Sequence, residues 1–269
     1  PVKSELVSQD MLKIGWSSID ITPDKPVDLR GQFPARISEG VLDPVTATVL
    51  AIESADASSN GHAFIISCDL VAIDTEVVEA VRNKIRAALK NVNTDNIIIN
   101  ATHTHTAPFC SPDNSTMKRY GIELDVMAPS AYLDFMSDQI AVAAWSNRKP
   151  GGISYGLGHA VVGHNRLQVD FSGNSVMYGN TNRPEFSHME GFEDHSVNLL
   201  YTWDKKSNLT GVVVNVPCPS QVTEGIYKIS ADYWHDTRVE LKERLGKNIY
   251  VLGQCSAAGD QSPHIRIGE

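Results

Sequence analysis

Two histidines, His103 and His105, stand two residues apart in the segment NATHTHTAP. In extended backbone, residues i and i+2 project to the same side, so both imidazoles can reach one centre. Neutral imidazole is a good ligand for zinc, and a catalytic zinc takes about three protein ligands and keeps one position open. A metal held this way lowers the pKa of its water to roughly 7 and polarises a carbonyl. Two loop histidines making ordinary hydrogen bonds have the same spacing, so the pair alone leaves both readings open. Asp69, after an apolar run, suits either a carboxylate that orients a histidine or a cap for the helix expected from Thr75. Ser262, in a Gly-flanked loop, is either a nucleophile awaiting a base or a turn serine. Arg166, next to Asn165, is suited to an anionic or carbonyl group, or is simply a surface arginine.

These residues sit where apolar runs end. The run HAFIIS ends at Cys68 and Asp69, NIIIN at the double histidine, GVVVNV at Cys218 and Gln221, and NIYVLG at Cys255, shortly before Asp260 and Ser262. In open α/β sheets, ligands bind outside the carboxyl ends of the strands. Four such ends carrying ligand or nucleophile types form one coherent pattern.

The positioning elements follow from periodicity. Residues 12–22, 46–53, 62–70, 153–157, 198–203, 209–216 and 248–255 read as strands, and the wholly apolar NIIIN as a strand buried on both faces. Val77, Val78, Val81, Ile85 and Leu89 mark a helix, with Asp74 and Thr75 at its start. Residues 127–145 predict a second helix, with Tyr132, Phe135, Met136 and Ile140 on one stripe, and residues 232–245 a third. Residues 158–192 show weak periodicity, and a loop that long is more often functional than idle. Strands alternating with helices predict an α/β fold, with α+β as the alternative: a layered mixed sheet flanked by helices.

Composition narrows the partners. The chain has 269 residues, 42% hydrophobic and 20% charged, with a net charge of −9. That acidity argues against nucleic acid, whose affinity rests on clustered Lys and Arg. No apolar run reaches the roughly 20 residues a membrane span needs. Four separated cysteines without a CxxC pair exclude a disulfide scaffold and a zinc ribbon.

The order of these segments resembles the neutral/alkaline, non-lysosomal ceramidase family in its N-terminal catalytic domain. KIGWSSIDIT is similar to that family's opening strand, and Leu29 to Gln32 to its glycine-containing loop at Gly31. GVLDPVTATVLAIE, FIISCDL, NATHTHTAP, the Asn165-Arg166 pair, ISADYW and GDQSP follow in the family's order. The resemblance implies a zinc-dependent amidase that cleaves an N-acyl linkage of a sphingolipid, in a secreted or periplasmic setting. It implies that His103 is a zinc ligand, that His105 contacts substrate and moves protons, and that Ser262 takes part in catalysis. Gly31, Asn165 and Arg166 fall at substrate-binding positions, with Asp69 as a supporting residue. Cys218 stands where the family has its second zinc-binding histidine. The Ser-Gly-Pro-Gly-Gly run after the double histidine is replaced by Thr106, Ala107, Pro108, Phe109 and Cys110. The family's glutamate and tyrosine ligands lie beyond Ser262, so residues 1–269 are expected to form one catalytic domain that is incomplete at its C-terminus. Two other functions fit the same fold: a hydrolase or lyase acting on a carbohydrate or glycolipid, and a binding domain with a degenerate site.

Overall fold

Alternating apolar residues pair the early strands directly. The computed structural model describes residues 12–54, 61–108 and 134–268. In chain order the strands are β1 (Leu12–Asp20), β2 (Thr46–Glu53), β3 (His62–Cys68), β4 (Ile97–Ala101) and β5 (Lys149–His159). Then come β6 (His164–Asn165), β7 (Leu167–Asp170), β8 (Ser175–Met177), β9 (Phe186–Met189) and β10 (Ser196–Asp204). The last are β11 (Leu209–Val216), β12 (Tyr250–Cys255) and β13 (Gln261–Ser262).

Eight of them form one mixed sheet in the order β12-β11-β10-β5-β1-β2-β3-β4. The pairs β3–β4 and β11–β12 are parallel, and all other neighbours are antiparallel. In a flat sheet these two parallel pairs would point in opposite directions. Strand twist of roughly 20–25° per step accumulates to about half a turn over such a sheet and brings their carboxyl ends to the same side. The two ends also meet: Ser67 Oγ donates to the Gly253 carbonyl at 2.5 Å, and Gln254 Nε2 to Asn100 Oδ1 at 3.1 Å. Ile14, Trp16, Leu50, Val213 and Leu252 fill the space between the facing halves. Trp16 stacks on Tyr250 with ring centres 5.5 Å apart.

Helices cover the outer faces. Helix α1 (Thr75–Ala88) buries Val77, Val81 and Ile85, the stripe its periodicity predicts. Asp74 stands at its N-cap but makes no side-chain capping bond. A π-helical segment, Phe135–Val142, runs into the short α2 (Ala143–Ser146). Residues 127–133 of the expected second helix, Tyr132 included, lie outside the described residues. Met136, Ile140 and Ala144 join Val49, Ala51 and Phe64 of the sheet in the main core. On the other side, α3 (Tyr233–Leu245) packs on β12. Trp234 lies so close there that a Cβ on Gly253 would sit 2.5 Å from its ring.

Two expectations change. NIIIN forms β4 at the edge of the sheet, and Ile98 is 56% exposed because only one face of an edge strand meets a helix layer. Residues 158–192 are not structureless: they hold the end of β5, β6, and a small three-stranded sheet ordered β8-β7-β9. Among the described residues, no helix is long and apolar enough to cross a membrane.

Candidate functional site

Strand β4 ends at Ala101, and the double histidine follows in a turn rather than in extended backbone. His103 has a φ of +61°, which L-residues other than glycine adopt at a cost. The threonines on either side turn inward. Thr104 and Thr106 both donate through Oγ to the Ser230 carbonyl, at 3.0 and 3.1 Å. The histidines therefore converge through this irregular turn, not through strand alternation. Their rings lie 5.1 Å apart, with Nε2 to Nε2 at 3.4 Å. Nδ1 of His103 lies 2.8 Å from the Val71 carbonyl, a bond it can make only as donor, so its Nε2 keeps a lone pair. Burial, and then the neighbouring His105, push the His103 pKa down, which favours the neutral ring.

The loop after β11 supplies the partners of His105. Glu224 Oε2 lies 3.3 Å from its Nδ1, and Gln221 Nε2 lies 2.7 Å from its Nε2. The bond to His105 holds the Glu224 carboxyl below the usual glutamate range, against the opposing effect of burial. His264 Nε2 donates to the Gln221 carbonyl at 2.8 Å and stands 3.8 Å from Glu224 Oε1. Asp232, at the N-cap of α3, fixes this loop by accepting from the backbone of Val222 and Thr223 and from the Thr223 hydroxyl. Arg36, 3% exposed, braces both histidine and glutamate from behind. Its guanidinium donates to the His105 carbonyl at 2.5 Å and to the Glu224 carbonyl at 2.6 Å. Gly31, with φ +113°, lies flat against the His105 ring, where a Cβ would be 2.3 Å from Cγ.

Gly31, His103, His105, Gln221 and Glu224 line a cleft of about 640 Å³ whose walls include Phe33, Met177, Tyr178 and Arg266. Arg166 reaches it as well, with its guanidinium held by the Gly259 carbonyl and the Tyr178 hydroxyl. A smaller hollow of about 260 Å³ shares His103 and Arg166 and is bordered by Cys255, Ser256 and Gly259.

No family model matches the chain, and no curated protein matches it. Solved structures do. The neutral ceramidase of Pseudomonas aeruginosa superposes with a TM-score of 0.71 at 19% identity, covering 97% of this chain and 41% of that one. A ceramidase described as complexed with C2 gives a TM-score of 0.71 at 20% identity, covering 95% of this chain and 39% of that one. The fold is ceramidase-like. The chain spans about two fifths of the length of these ceramidases.

Within this ceramidase-like fold, His103, His105, Gly31 and Arg166 line one cleft. The other sequence-selected residues stand elsewhere. Asn165 spends its side chain on the protein, donating to Asp260 and accepting from the Leu167 backbone. Among the described residues, Asp69 bonds to no histidine. It is fully buried in a two-pronged ion pair with Arg238 of α3, at 2.7 and 2.8 Å, and also accepts from Thr46 and Thr102. It caps no helix either. Ser262 is fully buried in β13, opposite His164 of β6, and its Oγ accepts the His264 backbone N–H at 3.1 Å. Cys218 is also fully buried, with its Sγ 3.4 Å from the Val162 carbonyl, and burial raises its pKa to about 12. Phe109 and Cys110 lie outside the described residues.

His103 thus has the form of a metal ligand, with Nδ1 fixed by a carbonyl and Nε2 turned to the cleft. Cys218, with its Sγ 3.4 Å from the Val162 carbonyl, lines neither of the two hollows that hold His103. Among the described residues, no group of three or more His, Cys, Asp or Glu side chains is placed to hold a metal. The donor set found here does not complete a zinc site. Glu224, Gln221 and Arg36 went unselected as site residues in the sequence. Gln221 does end the Pro-Cys-Pro-Ser-Gln run after a strand, which is a usable signal. Glu224 and Arg36 carry none.

Proposed function

We propose that this chain carries the catalytic centre of an amide hydrolase, with N-acyl linkages of ceramide-like lipids as its substrate class. The observation that supports it is the Glu224–His105 pair beside His103 on the floor of an open cleft, within a ceramidase-like fold. A carboxylate holding Nδ1 leaves Nε2 to accept a proton from an attacking water or hydroxyl, as a general base must. The imidazolium formed is then stabilised by Glu224. Arg166 is held by two neutral groups, so its charge stays available to an oxygen that gains negative charge at the scissile carbonyl. Phe33 at 98% exposure and Met177 at 50% give the cleft an apolar rim over a polar floor, a shape that suits an acyl amide with hydrocarbon chains.

The test is hydrolysis of a short-acyl fluorescent ceramide by the protein. Wild type turns it over, and His105→Ala lowers kcat/KM by roughly 100-fold or more, the usual scale for loss of a general base. Amide cleavage that survives His105→Ala, or a folded protein inert toward ceramide but active on a glycoside, overturns the reading.

A further inference from the structure

We infer that the cleft takes an N-acyl substrate whose head group is an anion (a carboxylate, phosphate or sulfate) held by Arg266. The acyl amide in this statement rests on the hydrolase reading above, and the anion rests on the charges of the cleft itself.

Cleavage of an amide asks for one cation, at the carbonyl oxygen that gains negative charge. This cleft is lined by two, Arg166 and Arg266. Among the described residues its one acidic side chain is Glu224, and that carboxylate is engaged with His105. The balance is therefore positive, in a chain whose net charge is −9. The two arginines are not equivalent. Arg166 also borders the smaller hollow beside His103, whereas Arg266 lines only the larger cleft. Arg166 thus serves the reacting carbonyl, and Arg266 is the surplus charge.

Tyr178 joins the pair. The guanidinium of Arg166 lies 5.1 Å and that of Arg266 4.8 Å from the centre of its ring, so no more than about 10 Å separates the two charges. Three to five bonds link the amide carbonyl to the acid group of an N-acyl amino acid or of a phosphorylated N-acyl amino alcohol, a span of roughly 4–7 Å at ~1.5 Å per bond. Such a molecule reaches both. The arrangement is also fixed in advance. Each guanidinium is attracted to the tyrosine ring. Tyr178 donates its backbone N–H to the Arg166 carbonyl at 2.9 Å and holds a φ of +56°, which a non-glycine residue adopts at a cost. The Arg266 carbonyl accepts from the Thr181 hydroxyl at 3.0 Å, and Gly268 donates to the same oxygen of Thr181 at 2.9 Å. Two like charges preset on one ring repel, and an anion beside them offsets that repulsion. Ile265 and Ile267, the chain neighbours of Arg266, are both exposed, which places apolar surface beside the charge. An anionic amphiphile matches that pairing.

The experiment compares two soluble probes, N-hexanoylglycine and N-hexanoylglycinamide, which share the acyl amide and differ in a carboxylate against a carboxamide. Affinities are read by ¹H–¹⁵N NMR titration at about pH 7, where the carboxylate is ionised; where a probe is turned over, kcat/KM takes the place of the affinity. Wild type should favour the carboxylate by about tenfold or more, the scale of a hydrogen bond to a charged group. Raising the ionic strength from about 0.05 M to about 0.5 M should narrow the ratio. Arg266→Gln should reduce it to about twofold or less, and Arg266→Lys should keep part of it. Equal affinities in wild type overturn the inference, and so does an absence of N-hexanoylglycine binding at about 10 mM. A ratio that Arg266→Gln leaves intact does the same. If that variant fails to fold, the wild-type ratio and its salt dependence decide, and a ratio insensitive to salt overturns the inference. A carboxylate preference without hydrolysis of either probe removes the hydrolase reading and leaves the anion site standing.

Discussion

The height of the His105 ring above the cleft floor is set by a missing methyl group. Gly31 combines a φ of +113° with a contact in which any Cβ would overlap the ring. Gly31→Ala is therefore expected to cost about 1–3 kcal/mol in strain alone and to displace His105. Thermal unfolding reads the first effect, and the His105 NMR signals read the second. Cys218 gives a prediction in pH. Its thiol keeps its proton to about 12 in the folded protein, while the reference thiol titrates near 9.0. Unfolding in that window releases a proton, so Cys218 contributes stability that is fully present below pH 9.0 and lost as the pH rises toward 12. Urea unfolding of wild type between those limits should weaken more steeply than that of Cys218→Ala. Equal slopes would show that the thiol does not carry the effect.

At the scale of elements, the end of β3 and helix α3 are joined by Asp69 and Arg238. Both charges are largely withdrawn from water, so removing one leaves the other uncompensated. Asp69→Ala is expected to destabilise the protein by about 3–5 kcal/mol, and an apolar pair at both positions to recover much of it. Denaturant midpoints of the single and double variants check this, and a double variant no better than the single one contradicts it. This contact also shows what was legible in the sequence. The apolar strands and the stripe on α1 were readable because burial imposes local periods of two and of three to four residues. The double histidine was readable because its members are neighbours. Asp69 was visible as a chemical type, but its partner stands far along the chain on another helix. Glu224 and Arg36 were silent for the same reason: each is a lone charged residue in a loop, and only folding brings it to His105. Cys218 was visible as a ligand type, but position in the chain does not say which way its side chain turns, and it turns to the Val162 carbonyl.

The whole molecule depends on a sheet whose two ends face each other. Trp16 sits at that seam, stacked on Tyr250, bonded through its indole N–H to Thr202 Oγ at 3.0 Å, and pressed on Gly211. Trp16→Ala is expected to cost about 3–5 kcal/mol. The loss should appear at the far end too, because the double histidine follows β4 while Gln221 and Glu224 follow β11. Hydrogen exchange should quicken in β11 and β12 as well as in β1, and exchange confined to β1 would argue against coupling of the halves.

That geometry has a consequence for the order of events in folding. Hairpins such as β10–β11 close over short stretches of chain, whereas the meeting of His105 with Glu224 requires segments more than a hundred residues apart to find each other. Contacts of such long range form late and slowly. In refolding, backbone structure seen by circular dichroism should recover before the histidine regains its carboxylate. The histidine cleft is then the last part of the molecule to exist, and a chain caught midway holds native strands but not the His105–Glu224 pair.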